Sequence, residues 1–210
     1  DFRNTVVGNN YTLTKIGGSE LAVGVQVLNC KIVINNGNYT YMNPLALGGA
    51  DFDTTMNGGA LRSYGYQTVT EHLICNGGSF ISAGWGNNLF TIAGRVTLNS
   101  NVVVTATADN GGTGTLDLSG LLEGTGGIRR QGGGHYVHVT CNTNTYSGPT
   151  IIDGGSTLWV GKTNLYSGLL GVGTVTNNGT LRGCSSRICS GNIVNNGALY
   201  CHTGVLCEAS

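Results

Sequence analysis

The chain has 210 residues, with 37 Gly against 2 Pro, and 40% of it is hydrophobic while only 10% is charged. It therefore has apolar material for one sizeable core and lacks the low-hydrophobicity, high-charge signature of a disordered segment. Ten Lys and Arg balance ten Asp and Glu, which leaves no basic footprint for nucleic acid or an anionic membrane and little self-repulsion to oppose association.

No run of about 18 apolar residues occurs, so no transmembrane segment is expected. The chain starts at Asp1 without an initiating Met or a signal peptide, and the expectation is a processed chain or an excised segment. In chain order, the first recurring element is Val33-Ile34-Asn35-Asn36-Gly37. The same shape returns in Asn57-Gly58-Gly59-Ala60-Leu61 and Asn76-Gly77-Gly78-Ser79-Phe80. Asn99-Ser100-Asn101-Val102-Val103 is a degenerate copy, and Asp153-Gly154-Gly155-Ser156-Thr157-Leu158 is a later one. The clearest pair lies near the C-terminus, where Gly173 to Leu181 is echoed by Gly191 to Leu199 at an offset of 18 residues. In that pair the turns are Asn177-Asn178-Gly179 and Asn195-Asn196-Gly197.

Each copy joins two short apolar strands through Asn or Gly, residues that tolerate positive φ. A two-residue turn of this kind could also close a β-hairpin, so an antiparallel meander is the structural rival. A return every 18–24 residues favours a solenoid, in which each rung needs its neighbours to bury its inward side. No stretch reads as a long amphipathic helix. The predicted fold is all-β: one single-stranded, right-handed parallel β-helix over residues 1–210. Aligning the turns predicts one inward column of Tyr39, Leu61, Phe80, Val103, Leu181 and Leu199, ladders of stacked Asn, and small outward residues. The longest gap between copies, Asn101 to Gly155, has room for two or three rungs.

A more specific segment runs from Asp117 to Gly161. It holds Gly124-Thr125-Gly126-Gly127-Ile128-Arg129-Arg130, then Asn144-Thr145-Tyr146-Ser147-Gly148-Pro149-Thr150, and closes on Gly155-Ser156-Thr157-Leu158. It resembles the autotransporter passenger-associated strand repeat, and residues 173–199 read as a continuation. The resemblance implies a right-handed parallel β-helix in a secreted or cell-surface protein and brings no catalytic residue. It also implies that one of Arg129 and Arg130 is a solvated surface residue.

The seven cysteines are Cys30, Cys75, Cys141, Cys184, Cys189, Cys201 and Cys207, four of them in the Cys-rich end at 184–207. No zinc-ligand spacing is present. Cys30, Cys75 and Cys141 read as small core residues, and at least one disulfide is expected among Cys184, Cys189, Cys201 and Cys207. The odd count leaves a thiol free or paired between chains.

Candidate chemistry is sparse. Asp51 and Asp53 would share one face of a strand, as a cation site or an acid pair. Arg129 and Arg130 would point to opposite faces. His135 and His138, three apart, would also face opposite ways and share no metal. Gly111 to Asp117 fails as a calcium repeat, because its Asp falls one residue late and the motif is not tandem. There is no Gly-x-Ser-x-Gly elbow and no P-loop. No cofactor and no metal site are expected. Trp85 and Trp159 could bind sugars by ring stacking.

The leading expectation is a non-enzymatic extracellular structural protein: a stalk, or a fibre subunit whose partner is itself. An adhesin-type module binding a glycan or a protein is the alternative, and a polysaccharide lyase or hydrolase is a further one.

Overall fold

A computed structural model describes residues 4–49, 51–84, 86–108, 111–162, 168–184 and 187–201. The described residues hold strands and turns and no helix, and three parallel sheets wind around one core. The predicted parallel β-helix is the observed fold. Right-handed crossovers are the general rule for parallel connections of this kind.

Sheet I has six strands, Thr12–Lys15, Lys31–Ile34, Thr54–Met56, Leu73–Cys75, Val96–Leu98 and Leu122–Gly124. Sheet II has nine, Glu20–Val23, Asn38–Tyr41, Ala60–Tyr64, Ser79–Ala83, Val102–Ala106, Ile128–Arg130, Thr150–Ile152, Val175–Asn177 and Ile193–Asn195. Sheet III has seven, Tyr66–Val69, Asn88–Ile92, Gly114–Leu118, Tyr136–Val139, Thr157–Val160, Thr180–Gly183 and Ala198–Cys201. Before sheet III begins, its side of the coil is held by Val6–Val7 paired with Val27–Leu28. At about 4.8 Å per strand, the nine strands of sheet II make a rod roughly 40 Å long.

The strands are three to five residues long in most rungs, and many alternate buried and half-buried positions. Val, Ile, Thr and Leu dominate them because β-branched side chains fit a pleated surface packed on its neighbours. Stacking is strictly in register, so the core is a set of columns. In sheet I, Ile34, Met56, Cys75 and Leu98 lie over one another. In sheet III, Phe90, Leu116, Val137, Leu158, Leu181 and Leu199 do the same.

The predicted inward column needs two corrections. Tyr39, Leu61 and Phe80 do form one column in sheet II. The next member is Val104, paired with Phe80, while Val103 pairs with Ser79 and faces outward. The turn after Asn99 is one residue longer than the turn after Asn76, and a one-residue slip exchanges the two faces of a strand. Leu181 and Leu199 belong to sheet III, because the Asn-Gly turn changes corner along the rod. The early copies at Asn35, Asn57, Asn76 and Asn99 connect sheet I to sheet II, whereas those at Asp153, Asn177 and Asn195 connect sheet II to sheet III. The long gap thus holds two rungs plus this shift of corner. Rung length reaches 26 residues where Val103 pairs with Arg129, beyond the predicted 18–24.

Glycine serves these corners in two ways, by its φ and by the room it leaves for the next rung. Gly37 and Gly59 sit at φ 70° and 66°, where a Cβ is strained. Gly197 has no positive φ, but a Cβ there would lie 2.1 Å from the Gly179 carbonyl oxygen of the rung below.

Candidate functional site

The most developed surface feature lies on the outer face of sheet III. There the parallel register sets Asp117, His138, Trp159, Arg182 and Tyr200 in one outward column. Trp159, Arg182 and Tyr200 each follow the inward Leu of their strand, so alternation sends all three to the surface. The rung spacing then forces them face to face. His138 stacks on Trp159 with ring centroids 5.8 Å apart and planes 28° off parallel. The Arg182 guanidinium carbon lies 4.9 Å from the Trp159 centroid and 5.0 Å from that of Tyr200. Tyr136 meets the Trp159 ring edge-on at 6.3 Å. The Trp159 indole nitrogen is buried without a hydrogen-bond partner, so this residue is held through its ring faces.

Both faces of the indole are therefore covered, one by His138 and one by Arg182. A sugar cannot stack on Trp159 in the manner the sequence suggested. Trp85, the other candidate, lies outside the described residues. Two hollows flank the column. One, of about 390 Å³, is lined by Trp159, Arg182, Gly183, Cys184, Tyr200 and Cys201. The other, of about 290 Å³, is lined by Gly134, His135, Tyr136, Thr157, Trp159 and Arg182.

At the lower end of the column, the Asp117 carboxylate accepts from Thr140 at 2.8 Å and pairs with Lys162. His138 Nδ1 is 3.3 Å from the Gly161 carbonyl oxygen. Burial lowers the His138 pKa below its ordinary value, with smaller opposing contributions from that carbonyl and from Asp117. His135 is turned away from His138, and its Nδ1 accepts from the Gly114 N–H at 3.1 Å.

The other candidate residues resolve as follows. Asp51 and Asp53 precede the strand Thr54–Met56 rather than sharing a face of it. Asp53 instead meets His72 Nδ1 at 3.1 Å, and His72 Nε2 lies 2.9 Å from the Thr97 hydroxyl. That order superficially suggests a nucleophile with its base and orienting acid. Thr97 however donates to Glu123 at 3.1 Å, and Glu123 pairs with Arg95, whose hydrogen bond holds the Glu123 carboxyl below its usual range. The chain of groups is a polar ladder across the outer face of sheet I.

Arg129 and Arg130 do point oppositely, with Arg129 on the surface 2.9 Å from Asp153. One arginine is solvated, as the resemblance implied, and the other, Arg130, is fully buried in the sheet II column between Val104 and Ile152. It donates to the carbonyl oxygens of Thr157, Gln131 and His135, with no carboxylate, and burial lowers its pKa to about 10.

The Asn-Thr-Tyr-Ser-Gly stretch is structural. Asn144 Oδ1 accepts from the Leu122 N–H at 2.7 Å, and its Nδ2 donates to the carbonyls of Cys141 and Leu169. Tyr146 is buried with its hydroxyl 2.7 Å from Thr150 Oγ1. The predicted Asn ladders are present at both corners. Asn57 donates to Asn35, Asn76 to Asn57 and Asn99 to Asn76, at 2.7–2.8 Å. At the other corner Asn177 donates to Asn195 at 2.6 Å and Asn196 to Asn178 at 3.0 Å.

Cys30 and Cys75 are core residues as expected, and burial pushes the Cys75 thiol up to about 12. Cys141 is only half-buried, with its sulfur 3.3 Å from the Thr143 hydroxyl. Cys184 and Cys189 are buried and Cys201 is exposed on the last strand. No disulfide joins two described cysteines, and Cys207 lies outside the described residues.

Sequence reading missed Arg182, Tyr136 and His138 as partners of Trp159, and Tyr200 as the second ring on Arg182. The signal was present as the residue that follows the repeat Leu at 158, 181 and 199, once those three are aligned.

These features define a parallel β-solenoid with a cation–π column on one outer face. No protein-family model, no curated protein and no solved structure matches the chain.

Proposed function

We propose that this chain is a non-enzymatic structural solenoid that works outside a cell or at its surface, as a stalk or as a fibre subunit whose partner is a second copy of itself. The observation that supports it best is the character of the two end rungs. At one end the sheet I and II edges are Thr12–Lys15 and Glu20–Val23, with Tyr11 and Ile16 exposed beside them. At the other end Ile193–Asn195 and Ala198–Cys201 are the edges, with Val194 and Tyr200 exposed. Among the described residues no strand lies beyond either edge. A sheet edge beside apolar side chains is the arrangement that templates further strands.

The even charge balance adds no repulsion between copies. The resemblance of residues 117–161 to passenger strand repeats supports the extracellular setting. Burial of Cys184 and Cys189 removes those two from any bond between copies.

Electron microscopy and sedimentation over a concentration series test the proposal. The expected result is rods that lengthen in steps of roughly 40 Å. Val194→Lys, which places a charge on the last edge of sheet II, should stop elongation and leave the far-ultraviolet dichroism unchanged. A monodisperse monomer at the highest concentration would overturn the fibre reading.

A further inference from the structure

We infer that the Arg182 column is a binding site for a carboxylate-bearing sugar, a uronate unit of an acidic glycan. The inference starts from the partners of the arginines. Arg62 and Arg95 pair with carboxylates, Arg129 pairs with Asp153, and Arg130 is satisfied by carbonyls. Arg182 has only ring contacts among the described residues, to Trp159 on one face and Tyr200 on the other.

A guanidinium packed against two rings through its carbon keeps its N–H donors in its own plane, and among the described residues no acceptor takes them. The side chain is pre-ordered, so little rotamer entropy remains to be lost when a ligand binds. The free edge is a two-pronged donor suited to a carboxylate.

The two hollows beside the column, about 390 and 290 Å³, share Arg182 and Trp159 as walls. Their size is near the lower limit of about 300 Å³ for small-ligand sites, which suits one or two sugar rings. Tyr136 and Tyr200 are 45% and 55% exposed and supply aromatic walls with a hydroxyl for the ring oxygens of a sugar. His135 also lines the smaller hollow, with its Nδ1 accepting from the Gly114 N–H. The nearest acidic member of the column, Asp117, is neutralised by Lys162. A neutral glycan would leave Arg182 unpaired, and a small inorganic anion would leave the aromatic walls unused. The combination selects a ring that carries a carboxylate.

The site is tested by titrating the monomeric protein with trigalacturonate while following the indole N–H of Trp159 and the Nε–H of Arg182 by nitrogen-15 correlation spectra. Saturable shifts at both signals are expected. Galactotriose, which lacks the carboxylates, should bind at least tenfold more weakly, and so should citrate, which lacks the ring. Arg182→Gln should weaken trigalacturonate at least tenfold, with Arg182→Lys in between because it keeps the charge and loses the fork. Should Arg182→Gln unfold, Arg182→Lys and the shifts of the protein that keeps Arg182 decide alone. Equal binding of galactotriose or citrate, or trigalacturonate shifts that bypass Trp159 and Arg182, would overturn the assignment. The titration is run in the Val194→Lys background, which the fibre reading keeps monomeric, so failure to bind and failure to form fibres are scored separately.

Discussion

The N-terminal and C-terminal rungs of the rod solve the same stacking problem with different chemistry. Up to Leu98 the interior is built mainly of stacked apolar columns, with Lys15, Glu71, Asn88 and several Ser and Thr hydroxyls buried among them, and an exposed Asn ladder runs along the corner between sheets I and II. Beyond Leu122–Gly124 sheet I has no further strand among the described residues. Its side is continued by irregular backbone, where Thr145 donates to Leu122 and Val172 to Tyr146. Here the buried side chains of Arg130, Asn144 and Asn177 each hold several backbone groups. A buried polar group must be satisfied, and once satisfied it fixes the geometry around it. The irregular C-terminal side thus depends on a few specific polar residues, whereas sheet I from Lys31 to Leu98 is held mainly by stacked apolar ones.

The sharpest way to break this contrast is Arg130→Ala. It removes the donor from three carbonyls and opens a void beneath Ile152. A loss of about 3–5 kcal/mol is expected. Arg130→Met, which restores volume without the donors, should recover part of it. Denaturant midpoints at unchanged slope measure both. If Arg130→Ala costs no more than Val104→Ala in the neighbouring rung, the distinction between the two halves fails.

Next is Asn144→Ala, expected to cost about 2–4 kcal/mol because the Leu122 N–H and two carbonyls lose their partner inside the protein. Hydrogen exchange should show faster exchange at Leu122 first. Uniform exchange across all rungs would indicate that Asn144 does not anchor the irregular side.

The outer column gives a smaller effect. Trp159→Ala removes the Arg182 and His138 contacts together, and a cost of about 1–3 kcal/mol is expected. Its neutral His138 also makes the column sensitive to acid. The folded pKa lies below the ordinary imidazole value, so this contribution is full above that value and is lost as pH falls through the lowered one. The thermal midpoints of wild type and His138→Gln should therefore converge on acidification.

How much of this was legible follows from the same contrast. Periodic features were readable: the Asn-Gly turns and the column of Tyr39, Leu61 and Phe80 follow from spacing alone. The shift of the turn to another corner was not, because Asn177-Asn178-Gly179 reads the same at either corner. The inserted residue after Asn99 was hidden by a run of three Val, in which either face looks apolar. The resemblance implied that one of Arg129 and Arg130 is solvated, but an Arg-Arg pair carries no sign of which member points inward. The outer column was invisible as a site because its members are about twenty residues apart and become neighbours only through parallel register.

Glu71 probes the N-terminal side. It is buried at the turn between sheets III and I, where its carboxylate accepts from the Thr70 N–H at 3.1 Å. Burial raises its pKa above the usual carboxylate range, against two backbone hydrogen bonds that lower it. The folded state thus favours the protonated acid. Its contribution to stability is full below the ordinary carboxyl pKa and is lost as pH rises through the raised value. Glu71→Gln keeps an oxygen for Thr70 and removes the charge. Its thermal midpoint should match wild type near pH ~4 and exceed it near pH ~8, and parallel curves would show that the carboxyl is not desolvated.

The smallest effect expected is at the exposed ladder. Asn76 donates to Asn57 and accepts from Asn99, so Asn76→Ala breaks two links at once. Water can replace both partners at this corner, and the net cost should be only about 0.5–1 kcal/mol. Asn177→Ala is the matched experiment at the other corner. There Asn177 is fully buried, donates to Asn195 and to the Ala198 carbonyl, and accepts from the Gly179 N–H. Its loss leaves the Ala198 carbonyl and the Gly179 N–H without that partner, and about 2–3 kcal/mol is expected. The ratio of the two costs measures what burial adds to one Asn ladder over another with the same sequence motif. Equal costs would mean that position along the rod, rather than burial, sets the strength of the ladder.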